Sequence, residues 1–367
     1  MNRARSSEPR VTRVRAAAYT VPTDAPESDG TLAWSSTTAV VVEADAAGHT
    51  GVGYSYTDAA AVGVVHRLLA PAVEGCSVFD VRGANGRMRR AVRNLGTHGI
   101  AMAALSAVDL ALWDLEARVL DLPLTHLLGA VRDGAPVYGS GGFTSYDDQR
   151  LVEQLSGWAG DGVPFVKMKV GREPSHDLHR VRAARRAIGV GTELFVDANG
   201  AYSASDAVAW AARFADEGVS WLEEPVTSED LAGLRRVRDR APAGMQVAAG
   251  EYADSPWVFE QLAQGAVDVL QIDATRCGGI TGFLDAATIA AAHGLPVSAH
   301  CAPAAHAAPA CAAPNLVHVE WFWDHTRLEP MLFDGVPARR ADRVYPHRDA
   351  FGNGLTLKAV DAGAYAA

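Results

Sequence analysis

Cysteine is scarce in this chain: Cys76, Cys277, Cys301 and Cys311 are the only four in 367 residues, and none stands at CxxC spacing. That argues against a disulfide-stapled scaffold and a sulfur-rich zinc module. Positive charge is short as well, with 33 basic residues against 43 acidic ones and a net charge of −10. Nucleic acid and anionic membranes are therefore not expected as partners. A small anionic substrate stays open, because a local cation overrules the global field. No apolar run approaches the roughly 20 residues that cross a bilayer; the longest are Ala-rich and interrupted by charges. The opening MNRARSSEPR has no apolar segment behind it, so no secretory signal is expected and the expected location is the cytoplasm.

What is present suffices for a large core: 49% of residues are hydrophobic and the mean hydropathy is +0.01. The length fits a barrel plus a smaller domain better than one ordinary domain. From Pro136 onward, apolar runs alternate with helical periodicity. Strands are expected at 136–141, 165–171, 194–199, 220–225, 246–251, 268–273, 296–300 and 317–322. Helices are expected at 147–160, 175–188, 203–217, 228–239, 255–264, 279–293 and 304–312, with helix starts at Ser203 and Ser228. Beyond Trp323 the pattern turns irregular and Pro-broken.

The first part of the chain differs. Antiparallel strands at 11–22 and 38–54, the second carrying a hairpin signal in AAGHTG, precede helices at 58–73, 79–95 and 99–120. Residues 22–37 (PTDAPESDGTLAWSST) between the strands read as a long loop and a candidate lid. The expected fold is a modified TIM barrel, (β/α)7β, over 131–334. An α+β capping domain covers 1–130, and a C-terminal segment, 335–367, returns to it with a strand at 353–359.

Polar residues close the barrel strands at a regular stride. Lys167, Lys169, Asp197, Glu223, Glu251, Asp273, His300 and Glu320 sit at the ends of PFVKMKVG, ELFVDANG, SWLEEP, MQVAAGE, DVLQID, LPVSAH and VHVEWF, 20 to 28 residues apart once the Lys pair is set aside. That interval is one strand, one helix and two loops, so the ends converge on one barrel mouth. Polar groups there are costly unless they meet a ligand.

Asp197, Glu223 and Glu251 end three consecutive strands. Without a cation they would repel one another, and an all-oxygen donor set suits Mg²⁺ rather than zinc. One strand-end acid is more often a helix cap or an ion-pair partner; three in consecutive strands favour the metal. Lys167 and Lys169 share a strand face. A lone Lys-x-Lys reads as a solvated edge, but FVKMKV is interior, and crowding is expected to depress a lysine pKa toward that of a base. Asp273 beside His300 follows the logic of a carboxylate that orients an imidazole. His306 and His318 read as structural. Glu320 is expected to donate a hydrogen bond from a protonated carboxyl.

These residues resemble the enolase superfamily, and within it the mandelate racemase subgroup, over essentially the whole chain. AVDLALWDLEARVLDLPLTHLLGA (107–130) is similar to the family's helix leading into the barrel, and KMK, VDANG, EEP, GE, QID and AH follow in the family's order. The pairing of a Lys or His base with one or two Mg²⁺ ions is an established property of that superfamily, not a deduction from these residues.

The resemblance implies that Asp197, Glu223 and Glu251 hold one Mg²⁺, for which Mn²⁺ can substitute, and that Lys169 and His300 with Asp273 are bases on opposite faces of the substrate. It further implies that Lys167 neighbours the substrate carboxylate, that Glu320 faces the enolate, and that Asn199 contacts substrate. Muconate-lactonising and dipeptide-epimerising relatives end strand six with lysine; this chain has Asp273-Ala-Thr-Arg-Cys-Gly-Gly there, which implies the Lys-plus-His arrangement.

The implied chemistry is removal of the proton α to a carboxylate, with dehydration of an aldonate or aldarate to a 2-keto-3-deoxy acid preferred. Racemisation or epimerisation of an α-hydroxy acid or acid sugar is the alternative, and a catalytically silent binding barrel a remote one. Specificity is expected from Trp34 in the 21–36 loop and from Tyr54 and Tyr56. The expected partners are a small-molecule carboxylate and further copies of the chain, in an assembly from dimer to octamer.

Overall fold

The structure, a computed structural model, describes residues 8–367, so most of the charged opening stretch lies outside the described residues. The cap begins with a three-stranded antiparallel sheet of β1 (Arg13–Ser28), β2 (Ala33–Ala46) and β3 (His49–Tyr56). Ala47 (φ 50°) and Gly48 (φ 82°) form the two-residue β2–β3 turn, whose positive φ values match the twist of the flanking strands. The buried helix Ile100–Val119 lies directly on β3. Gly51 and Gly53 make this approach possible, since a Cβ on either would lie 2.3 Å from the carbonyl oxygens of Ala111 and Ala107.

The expected loop at 22–37 is a strand pair instead. β1 continues to Ser28 and β2 starts at Ala33, in register Ser28↔Ala33, with an irregularity between Pro22 and Glu27. Pro26 falls in that unpaired stretch, and β1 is an edge strand, so neither proline removes a needed ladder bond. The tip is fixed to the barrel: Ser28 Oγ and Thr144 Oγ1 are 2.6 Å apart, and Thr31 Oγ1 donates to the Asn199 carbonyl at 3.3 Å.

Eight parallel strands follow: β4 (Ala135–Gly141), β5 (Phe165–Lys169), β6 (Glu193–Asp197), β7 (Val219–Glu223), β8 (Gln246–Ala249), β9 (Val269–Ile272), β10 (Val297–Ala299) and β11 (Leu316–Phe322). β11 pairs with β4 and closes the barrel. Alternation sorts the side chains. Val166, Met168, Leu194, Val196, Leu222, Leu270 and Ile272 face the surrounding helices in the main core. Inside, Tyr138, Phe195 and Trp221 pack around His318. Two residues beyond this aromatic layer on β6, β7 and β11 stand Asp197, Glu223 and Glu320.

Three further expectations change. The Pro-broken stretch after β11 is a helix, Trp323–Leu332, and Pro330 lies inside its last turn, where it removes one backbone bond near the point at which the helix ends. This helix ties cap to barrel through Thr37–Asp324 (2.5 Å), Arg327 to the Pro22 carbonyl (2.7 Å) and Tyr54–Glu329 (2.6 Å). The helix expected from Ser228 is capped by Asp230, which accepts from Gly233 N–H, and spans Leu231–Arg238. The strand expected at 353–359 is only Thr356–Leu357, paired with Phe333–Asp334. The C-terminal segment first adds a hairpin (Ala338–Arg340, Arg343–Tyr345) to β4, then reaches the cap sheet, where Ala367 N–H donates to Ala18 O at 3.0 Å. Among the described residues no helix is long and apolar enough to cross a membrane.

Candidate active site

β5 presents Lys167 and Lys169 on its inner face, and strand register sets the depth of their neighbours: Lys169 aligns with Asp197, and Asp197 with Glu223. Glu251 stands two residues past β8, after Gly250 (φ 133°). A Cβ at position 250 would meet the Gln271 carbonyl oxygen at 2.4 Å, so glycine is what lets the chain turn Glu251 inward. Asp197, Glu223 and Glu251 are buried, and one oxygen of each lies within 4.8 Å of the others. Glu251 Oε2 has no hydrogen-bond partner, and burial together with Asp197 pushes the Glu223 carboxyl up to about 8. Convergent oxygens, crowding and an unpaired acceptor all fit a hard divalent cation.

Lys167 is fully buried. Its Nζ contacts Glu223 Oε1, Glu320 Oε1 at 2.9 Å and Asp197 Oδ2 at 3.4 Å. Lys169 Nζ is 2.5 Å from Asp197 Oδ2. The expected depression of the lysine pKa is not what this arrangement gives. Burial acts to lower both, but Glu223 and Glu320 around Lys167, and Asp197 beside Lys169, outweigh it and hold both ammonium groups above their ordinary value.

Glu320 departs from expectation for the same reason. Burial alone would protonate it, but Lys167 and His300 keep it well below the usual carboxylate range. It is an anion that accepts from the Cys301 N–H at 2.9 Å, not a neutral donor.

His300 Nδ1 lies 2.8 Å from Asp273 Oδ2, so Asp273 accepts from Nδ1–H and leaves Nε2 toward the mouth. Burial opposes charging of the ring, but Glu251, Glu320 and Asp273 raise its pKa overall. His306 is occupied by backbone, with Nε2 accepting from Ala274 N–H at 2.8 Å. His318 Nδ1 is 2.8 Å from Ser298 Oγ, and burial lowers its pKa to about 3.

A cavity of about 560 Å³ lies between barrel and cap. Lys169, Asn199, Glu251 and His300 line it from the barrel, and Trp34 and Tyr56 from the cap. Asn199 holds φ 44° with a buried, unpaired Oδ1. Trp34 packs edge-on against Phe143 and donates to Glu27 at 2.9 Å. Tyr56 stacks on His325 at 3.5 Å.

Tyr54 does not reach the cavity: it is 1% exposed, donates to Glu329 and accepts from Ala305 N–H at 3.0 Å. It shares a strand face with Tyr56 but sits two residues deeper, so its role is to join cap and barrel. Sequence reasoning passed over Arg276, Tyr252, Cys301 and His325, which also line the mouth. Arg276, three residues after Asp273 and 3.1 Å from Glu251 Oε1, was the one with a positional signal.

Comparison with known proteins defines the class. The family profile described as Mandelate racemase / muconate lactonizing enzyme, N-terminal domain, matches residues 13–129, and the one described as Enolase C-terminal domain-like matches residues 150–361. The chain belongs to the mandelate racemase/muconate lactonizing enzyme family of the enolase superfamily. It is 53% identical to a mandelate racemase/muconate lactonizing enzyme-like protein from Rubrobacter xylanophilus, with a TM-score of 0.96 over 98% of this chain and 100% of that one. A racemase from Streptomyces coelicolor A3(2), solved with bound magnesium, is 27% identical with a TM-score of 0.91 over 97% of this chain and 100% of that one. L-talarate/galactarate dehydratase of Salmonella typhimurium is 32% identical over 84% of this chain and 78% of its own length.

Proposed function

We propose that the protein is an acid-sugar dehydratase that removes the proton α to a carboxylate, with the catalytic groups drawn from the barrel (131–334) and the lid from the cap (1–130). The observation that carries this reading is the placement of Lys169 on β5 and His300 after β10 on one cavity, with three convergent carboxylates beside them. Asp197, Glu223 and Glu251 would hold Mg²⁺, which supplies electrophilic charge for the substrate carboxylate when bound. Lys167 adds fixed positive charge where the ene-diolate develops, and a preorganised charge in a dry site is worth far more than in water. Lys169 and His300 handle protons on opposite faces of the α-carbon. Asp273 fixes the His300 tautomer so that Nε2 faces the substrate.

Once the α-proton has left, the opposite group either returns a proton to carbon, which inverts the centre, or protonates the β-hydroxyl so that water leaves. Similarity to the talarate/galactarate dehydratase supports elimination, and similarity to the Streptomyces racemase keeps inversion as the second reading. The cap side of the cavity carries Asp29, Asp58, Ser36, Thr37 and Thr38, and among the described lining residues its cations all come from the barrel side. A polyol tail suits that wall better than a second carboxylate, so aldonates are favoured over aldarates.

The deciding experiment screens mono- and diacid sugars for 2-keto acid formation with semicarbazide, alongside polarimetry on α-hydroxy acids. Keto acid from a monoacid sugar is the expected result. Loss of optical rotation without keto acid would replace the dehydratase by a racemase or epimerase.

A further inference from the structure

Cys301 is not needed for the chemistry above, yet its thiol lies between two groups that are. Cys301 and Ala302 follow β10 with φ of 51° and 40°, an uncommon left-handed pair for residues with a Cβ. Sγ stands 3.2 Å from His300 Nε2 and 3.3 Å from Glu320 Oε2, and those two atoms are 3.7 Å apart. A tetrahedral ion with bonds of about 2.3 Å to sulfur and about 2.0–2.1 Å to nitrogen and oxygen needs ligand edges of roughly 3.3–3.6 Å. The three atoms come within a few tenths of an ångström of such a face, with the two sulfur edges short and the nitrogen–oxygen edge long, so small side-chain shifts complete it. Glu251 Oε2, the unpaired acceptor of the oxygen trio, lies 3.3 Å from His300 Nε2, so the two clusters adjoin without sharing a ligand.

We propose that Cys301, His300 and Glu320 form a second cation site, selective for a thiophilic divalent ion such as zinc or cobalt(II). This site is distinct from the all-oxygen trio of Asp197, Glu223 and Glu251. Sulfur, nitrogen and oxygen together suit zinc and cobalt, and disfavour Mg²⁺. On binding, the thiol proton leaves to solvent and an S–metal bond takes its place. The ion also captures the ring nitrogen of His300 that faces the substrate, so its occupancy inhibits the enzyme. The binding stands on geometry alone, whereas the inhibition rests on the proton-handling role given to His300.

The test is titration of Mg²⁺-saturated enzyme with Co²⁺, followed by the near-ultraviolet thiolate-to-cobalt charge-transfer band. The band should saturate at one equivalent, persist in Asp197→Asn, vanish in Cys301→Ser and disappear when Zn²⁺ displaces the cobalt. Absence of the band, its survival in Cys301→Ser, or its loss in Asp197→Asn overturns the site. Should the serine variant fail to fold, Cys301→Ala serves in its place. In turnover assays with excess Mg²⁺, Cys301→Ser should keep its activity and lose sensitivity to Zn²⁺ by about tenfold or more, the scale on which removal of a site-defining contact weakens metal affinity. A cobalt band with unchanged turnover would retain the site and remove His300 from the reaction.

Discussion

Lys169 and His300 are both positively biased by their neighbours, yet their partners differ: Asp197 pairs with Lys169, and Asp273 holds the far nitrogen of His300. They therefore act as separate devices and should fail separately. In D₂O, Lys169→Ala should abolish α-proton exchange for one substrate configuration and His300→Asn for the other, each by about 10²–10⁴-fold, the usual worth of a positioned proton-transfer group. Loss of exchange from the same configuration in both variants would remove one of them from the reaction. Glu329 gives a test unconnected with turnover. Burial pushes its carboxyl from an ordinary 4.5 up to about 8, against the opposing hydrogen bond from Tyr54. The folded state thus binds that proton more tightly than the unfolded state. The stability it confers is complete below the unfolded pKa, falls as pH rises through this window, and levels off above about 8. The slope is at most about 1.4 kcal/mol per pH unit. Glu329→Gln should flatten the melting-temperature profile between the two pKa values; parallel profiles would show that Glu329 does not titrate there.

At the scale of elements, β3 and the helix Ile100–Val119 touch backbone to backbone at Gly51 and Gly53. Gly53→Ala places a methyl 2.3 Å from the Ala107 carbonyl, and the forced shift should cost about 1–3 kcal/mol. Gly157→Ala, on an exposed helix face with nothing within 4 Å, should instead be neutral or stabilise by about 0.5–1 kcal/mol. Equal melting temperatures for the two variants would refute the close approach. The same elements show how far a sequence can be read. Strand ends recur at one β/α stride, so the eight polar groups and their order were legible without coordinates. The hairpin at 22–37 was not, because its Pro, Gly and Ser residues signal a loop while its pairing depends on an edge position that only the sheet reveals. Alternation put Tyr54 and Tyr56 on one face but could not supply depth, which decided that only Tyr56 reaches the cavity. Lysine pKa was out of reach too, since it turns on carboxylates brought from β6, β7 and β11 to within a few ångströms.

Taken whole, the molecule concentrates cost in one place. Asp197 and Glu223 end β6 and β7 and Glu251 follows β8, 26 and 28 residues apart along a chain of net charge −10, and only folding brings them together. A cation held by all three therefore binds the folded state and not the unfolded one. At a hundredfold excess over its dissociation constant, such an ion stabilises by about 2.7 kcal/mol. For a chain of this size, with an unfolding entropy of about 2.1 cal/mol/K per residue, that corresponds to a rise of about 3–4 °C in melting temperature. Mg²⁺ should produce this rise in the wild type, chelator should reverse it, and Asp197→Asn should largely abolish it while unfolding as cooperatively as before. Non-specific screening of the acidic surface would raise wild type and variant alike. An equal shift in both proteins would therefore place the ion outside the trio, and a shift confined to the wild type would place it inside.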